Sequence, residues 1–137
     1  MTTYYLAGPM RGLPQCNFPA FNDAAECLRR RGFHIISPAE LDSAATRAEA
    51  LACVGGEDLP TYGGETPGEI LARDVRIVAD EVDGLIFLDG WEKSRGARLE
   101  AFVGLLYGKA FALYRGYGII TGLHADAVRY QLMRNMP

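Results

Sequence analysis

Apolar and polar positions along this chain fall into short blocks, and the blocks change period. Thr3-Tyr4-Tyr5-Leu6-Ala7 is an apolar run stopped by Gly8-Pro9, which predicts a buried strand and a sharp turn. Asn17 then precedes Phe18, Phe21, Ala24, Ala25 and Leu28, which share one face of a helix that Asn17 can cap. Arg29-Arg30-Arg31 falls in its last turn, where cations suit the helix dipole, and Gly32 ends it. Phe33-His34-Ile35-Ile36 predicts a second strand, stopped by Ser37-Pro38. Residues 39–53 are Ala-rich and predict helix, whereas residues 54–68 hold five Gly and two Pro and predict a loop. Between 69 and 81, Ile70, Leu71, Val75, Val78 and Ala79 recur at helical spacing. Gly84-Leu85-Ile86-Phe87-Leu88 predicts a third strand, buried on both faces. A helix over 97–107, a strand over 109–114, a fifth strand at Ile119-Ile120 and a closing helix over 124–134 complete the pattern.

Strands alternating with helices predict an α/β fold with a parallel sheet covered on both faces. The expectation is a single-domain, flavodoxin/Rossmann-like three-layer sandwich over residues 1–137, with a mostly parallel sheet of four to five strands. In such sheets, ligands bind outside the carboxyl ends of the strands. The unusual residues of this chain fall at those ends. Arg11 and Gly12 follow the first strand, and GWEKSRGARLE (residues 90–100) follows the third.

Composition narrows the classes. A chain of 137 residues, 49% apolar and 23% charged, has an ordinary globular balance and can bury one core. A net charge of −3 argues against a nucleic-acid polymer as partner, because phosphate-backbone binders carry a basic surface. No apolar run approaches the roughly 20 residues of a membrane span. MTTYYLAGPM does not read as a signal peptide, and an odd set of three cysteines, Cys16, Cys27 and Cys53, suggests reduced thiols. A cytoplasmic protein is therefore expected. His34 and His124 are far apart and do not by themselves suggest a metal site, and no cofactor is expected.

Three segments could carry chemistry. In GPMRG, Gly8 and Gly12 permit close backbone approach, Met10 lies between them and Arg11 adds a fixed charge, a combination suited to an anion; a plain strand-to-helix turn is the other reading. Asp74 follows Arg73 in a helix with buried-looking neighbours, where it could pair with a base or receive sugar hydroxyls. Ser94, with Gly96 close behind, could cap the next helix or meet an oxyanion. Glu100 sits one turn further on. It gains from the helix dipole, or it serves as nucleophile or general base in a partly apolar site. Trp91 could stack on a base or anchor the core, and Tyr5 adds a second aromatic. Paired carboxylates around a sugar are what cleavage of a glycosidic bond requires.

YLAGPMRG, the helical Arg73-Asp74 and SRGARLE together resemble the nucleoside 2-deoxyribosyltransferase-like superfamily, in this order and over Tyr4 to about Tyr114. The characterised members of that superfamily are nucleoside 2-deoxyribosyltransferases and deoxynucleoside 5′-monophosphate N-glycosidases. It implies that Glu100 is a nucleophile forming a glycosyl-enzyme intermediate, that Asp74 assists at the sugar or base, and that Tyr5 orients the nucleophile. It implies that Gly8, Met10, Arg11 and Gly12 hold a 5′-phosphate with Ser94, and that Arg95 or Arg98 assists. It also implies a homo-oligomer, dimer or larger, with sites near subunit interfaces and Thr121 or His124 as the residue lent by a neighbour. The expected activity is N-glycosidic cleavage of a (deoxy)nucleoside 5′-monophosphate, a small-molecule substrate, by hydrolysis or base transfer. The alternatives are transfer from free nucleosides and nucleotide binding without turnover.

Overall fold

The computed structural model describes residues 2–56, 61 and 63–134. Strand β1 (Thr3–Ala7) runs as the pattern predicts. Helix α1 (Phe18–Arg30) buries Phe18, Phe21, Ala24, Ala25 and Leu28, the expected face. Asn17 occupies the cap position but does not cap. Its φ is 59°, and its side chain donates instead to the Pro9 carbonyl at 2.9 Å. Gln15 and Cys16 are left-handed as well, with φ of 55° and 51°. Three such residues in a row are costly for L-amino acids. The turn is held by the Gln15 amide, which donates to the Cys53 carbonyl at 2.8 Å.

β2 (His34–Ile36) is followed by two helices where one was expected. α2 (Pro38–Leu41) stops at Asp42, whose backbone is extended, and Ser43 caps α3 (Ala44–Ala52) by accepting from the Thr46 amide at 3.1 Å. A short hydroxyl residue that caps a new helix competes with continuation of the old one. The part of the expected 54–68 loop on residues 57–60 and 62 lies outside the described residues. α4 (Pro67–Asp80) starts two residues before the apolar periodicity does, because Thr66 and Glu69 form a reciprocal capping box with Pro67 at the first helical position.

β3 (Gly84–Phe87), α5 (Arg95–Leu106), β4 (Ala110–Gly116), β5 (Ile119–Leu123) and α6 (Ala125–Arg134) complete the chain. The sheet order is β2-β1-β3-β4-β5, with β1 through β4 parallel and β5 antiparallel to β4. β5 is longer than Ile119-Ile120 because it is one arm of a hairpin. Its turn residues Tyr117 and Gly118 both have positive φ, 55° and 74°, which matches the twist of paired strands.

The architecture is the three-layer α/β sandwich with a five-stranded, mostly parallel sheet. One face buries Leu6 and Ile86 against α1; the other buries Tyr5, Leu85 and Phe87 against α4, α5 and α6. β3 is buried at every position, as its unbroken apolar run requires.

β1 and β3 pair with Ala7 opposite Phe87, so their carboxyl ends converge at Gly8 and Leu88. A Cβ on Gly8 would stand 2.9 Å from the Leu88 Cβ. Gly8→Ala should therefore destabilise the fold by about 1–3 kcal/mol, as overpacking does, measured by denaturant unfolding. An unchanged midpoint would mean that the two strand ends can part at no cost.

Candidate active site

In a sheet of order 2-1-3-4-5 the connections reverse direction between β1 and β3, and the crevice there is the expected ligand site. Alternation along β1 turns Tyr5 to the α4–α5 face while Leu6 turns to α1. Tyr5 is 0% exposed. Its hydroxyl donates to Oε2 of Glu100 at 2.5 Å. Glu100, in the second turn of α5, is 5% exposed, as is Asp74 on α4. Three of the sequence candidates, from three separate elements, thus meet beneath the carboxyl edge of the sheet.

Their surroundings shift all three groups. Burial, and then the nearby charge of Asp74, pushes the Glu100 carboxyl well above its usual range, against the Tyr5 hydrogen bond and Arg73. Burial pushes Asp74 up to about 6, with Arg73 pulling it down, Asp42 pushing it up and Tyr5 stabilising the charged form. The Tyr5 hydroxyl is raised by burial and by both carboxylates, so it stays a donor. Two acids whose ionisation each opposes can share one proton, the arrangement acid–base chemistry uses.

Arg73 supplies the counter-charge. Its Nε and Nη2 approach Oδ1 of Asp74 at 2.9 and 2.7 Å, and its Nη1 donates to Oδ1 of Asp42 at 2.7 Å. The Nη2 contact is an ion pair without hydrogen-bond alignment, so Nε carries the directional bond. Asp42 was not among the sequence candidates. The RD pair hinted at Arg73, but a partner 31 residues away leaves no local pattern.

Asp74 and Arg73 line a cavity of about 70 Å³ with Met10, Arg11, Asp42 and Thr46. Met10 and Arg11 are thus beside the carboxylates, whereas Gly12 is exposed with φ of 80°. Gly8 is buried against Leu88. Ser94 caps α5 by accepting from the Ala97 amide at 3.3 Å. Gly96 lies where α5 passes α4, and a Cβ there would be 3.8 Å from Leu71 Cδ1.

Trp91 stands apart from the pair. It is 4% exposed and stacks on Phe87 at 4.1 Å between centroids. It lines a larger cavity, about 300 Å³, at the ends of β3 and β4 with Asp89, Glu92 and Tyr130. Space and chemistry therefore separate. The candidate site is the smaller cavity, which Asp42 and Asp74 line, both carboxyls raised by burial. Arg98 is committed elsewhere: Nη1 donates to the carbonyls of Glu92 and Gln131, and Nη2 to that of Leu132, tying α6 to α5. Thr121 and His124 are exposed, and Nδ1 of His124 accepts from the Asp126 amide at 3.0 Å. Among the described residues, no cluster of His, Cys, Asp or Glu could hold a metal ion, and no helix is long and apolar enough to cross a membrane.

A family model described as a domain of unknown function (DUF4406) matches residues 2–55, from β1 through α3. It ends before α4 and α5, which carry Asp74 and Glu100. No curated protein matches the chain.

Because the fold holds Asp74 near 6, above its ordinary value near 4, the protonated form is the one the fold favours. That contribution is fully present below about pH 4 and is lost as pH rises through about 6. Asn cannot ionise and keeps it. Asp74→Asn should therefore be more stable than the parent at pH 7.5, by at most about 3 kcal/mol, and the gap should close by about pH 4. Thermal denaturation between pH 4 and 8 checks this. A less stable variant at pH 7.5 would mean that the Arg73 ion pair outweighs burial.

Proposed function

We propose that the protein cleaves the N-glycosidic bond of a (deoxy)nucleoside 5′-monophosphate, with Glu100 as nucleophile. The observation that carries this reading is the 2.5 Å hydrogen bond from the Tyr5 hydroxyl to a buried Glu100, with Asp74 close enough to raise it further. The resemblance of YLAGPMRG, Arg73-Asp74 and SRGARLE to the nucleoside 2-deoxyribosyltransferase-like superfamily supports the same assignment.

Tyr5 engages Oε2, which leaves Oε1 to attack the anomeric carbon. The two acids share one proton, which burial places on Glu100 at rest; Glu100 passes it to Asp74 and attacks as the carboxylate that the Tyr5 hydroxyl stabilises, so that Asp74 holds the proton. The Glu100 oxygen–carbon bond forms, the carbon–nitrogen bond breaks, and the base leaves with the electron pair and takes the proton from Asp74. Water then attacks the anomeric carbon, Asp74 accepts its proton, and Glu100 is released with the sugar phosphate as product. A free base in place of water gives transfer. Arg11, beside Asp74 in the cavity, is the cation for the 5′-phosphate.

One observation favours a second reading, nucleotide binding without turnover: Tyr5 and Glu100 are sealed and line neither cavity. Thiols at Cys16, Cys27 and Cys53 fit a reducing compartment, and we place the protein in the cytoplasm.

We also propose a homo-oligomer. α5 exposes Leu99, Phe102 and Leu106, at 39%, 50% and 67%, along one helical stripe.

Base release resolved by chromatography tests the activity. Common ribo- and deoxyribonucleoside 5′-monophosphates are compared with their nucleosides, with and without a free base as acceptor. Release from a monophosphate should fall by about 10³-fold or more in Glu100→Gln, and Arg11→Ala should raise KM for the monophosphate at least about tenfold while sparing the nucleoside. Undiminished release in Glu100→Gln would remove it as nucleophile; no release from any substrate would favour the binding reading. In sedimentation, Phe102→Glu should convert the oligomer to monomer, and a monomeric parent protein would refute the assembly.

A further inference from the structure

Asp42 lies where α2 gives way to α3, in a part of the chain remote in sequence from both carboxylates. Its side chain is nonetheless 6% exposed, close to the 7% of Asp74, and the Arg73 guanidinium lies between the two. A guanidinium is a planar fork, so fixing one nitrogen fixes the direction of the others. Nη1 is fixed by Asp42 at 2.7 Å; Nε then donates to Oδ1 of Asp74 at 2.9 Å, and the nearest approach of Nη2 is to that same oxygen, at 2.7 Å.

We propose that Asp42 and Arg73 are positioning residues for Asp74: Asp42 holds the guanidinium, and the held guanidinium decides which Asp74 oxygen is turned to the reacting groups. The catalytic consequence rests on the N-glycosidase reading; the positioning itself does not. Asp74 is faced by Arg73 from α4, Tyr5 from β1, Glu100 from α5 and Asp42 from the α2–α3 junction. Glu65 and Arg47 act on Asp42 in turn. A purely mechanical tie between α2–α3 and α4 would use the same contacts, so the test must read Asp74 itself.

The sign of one titration separates the two. Removing the negative charge of Asp42 without any change at Arg73 lowers the Asp74 midpoint, because Asp42 raises it directly. Releasing the guanidinium raises the midpoint, because Arg73 lowers it. Carboxyl-carbon NMR titration of Asp74 is recorded in the parent protein, Asp42→Ala, Asp42→Asn and Arg73→Lys. The proposal expects a higher midpoint in Asp42→Ala and in Arg73→Lys, and a return toward the parent in Asp42→Asn, which keeps an acceptor oxygen. In turnover, Asp42→Ala should lower kcat about tenfold or more with KM within about twofold, and the double variant should be no worse than Arg73→Lys by more than about twofold. A midpoint that falls or stays in Asp42→Ala, or rate effects that multiply, overturns the proposal. If the parent releases no base from any nucleotide, the N-glycosidase reading fails and the titration alone decides the positioning. If Arg73→Lys does not fold, the Asp42→Ala and Asp42→Asn pair gives the same decision.

Discussion

A carboxyl group placed in the dry interior of a small domain governs the rest of this structure. Transfer of a carboxylate from water costs several kcal/mol after relaxation, and Glu100 is compensated by one short hydrogen bond from Tyr5. That bond requires Tyr5 to face α5, which requires the register that sets Tyr5 opposite Leu85. A slip of one residue would turn Tyr5 to the α1 face and leave Glu100 without its donor. The register in turn needs the ends of β1 and β3 to close, which Gly8 permits beside Leu88. A backbone detail of the sheet thus reaches the buried carboxyl of Glu100 through a side chain that ranks among the core residues.

The two faces of the sheet divide the work. Behind β1, the α1 face is built from Leu6, Phe18, Phe21, Leu28 and Ile86, without an ionisable group at 0% to 2% exposure. The other face packs Leu85, Phe87, Val78 and Ala101 just as tightly yet accommodates Asp74 and Glu100. Apolar burial on both sides stabilises a sheet that must carry these unfavourable charges. Groups held in such destabilised states are enriched at functional sites.

Much of this was legible in the sequence. Strand periods and the buried run at residues 84–88 predict the order of elements, and the placement of Arg11 and Gly12 after the first strand and of residues 90–100 after the third points to the crevice. The misses have different causes. Asn17 reads as a cap, but its side chain found the Pro9 carbonyl, a tertiary acceptor that no local rule contains. The break at Asp42 was hidden by Ala-rich flanks of high helix propensity. The Thr66 and Glu69 box was readable, since Thr-x-x-Glu is a local signature; the apolar periodicity, which starts later, masked it. Trp91 illustrates a limit of composition. A lone indole after a strand looks like a ligand platform, and whether its face is already covered, here by Phe87, is decided only by packing.

The separation of Tyr5 from Glu100 by 95 residues also has a kinetic side. During synthesis, β1, α1 and β2 can associate early, since their contacts are near in sequence. β1 is not complete as a central strand until β3 arrives beside it, and Glu100 follows later still. The Tyr5–Glu100 contact is therefore one of high sequence separation, which closes late in synthesis, and the two halves of the polypeptide hold incomplete shares of it. An early fragment holds Tyr5, Arg11 and Asp42 without Asp74 or Glu100, so the cluster of buried acids is complete only when the sheet is whole.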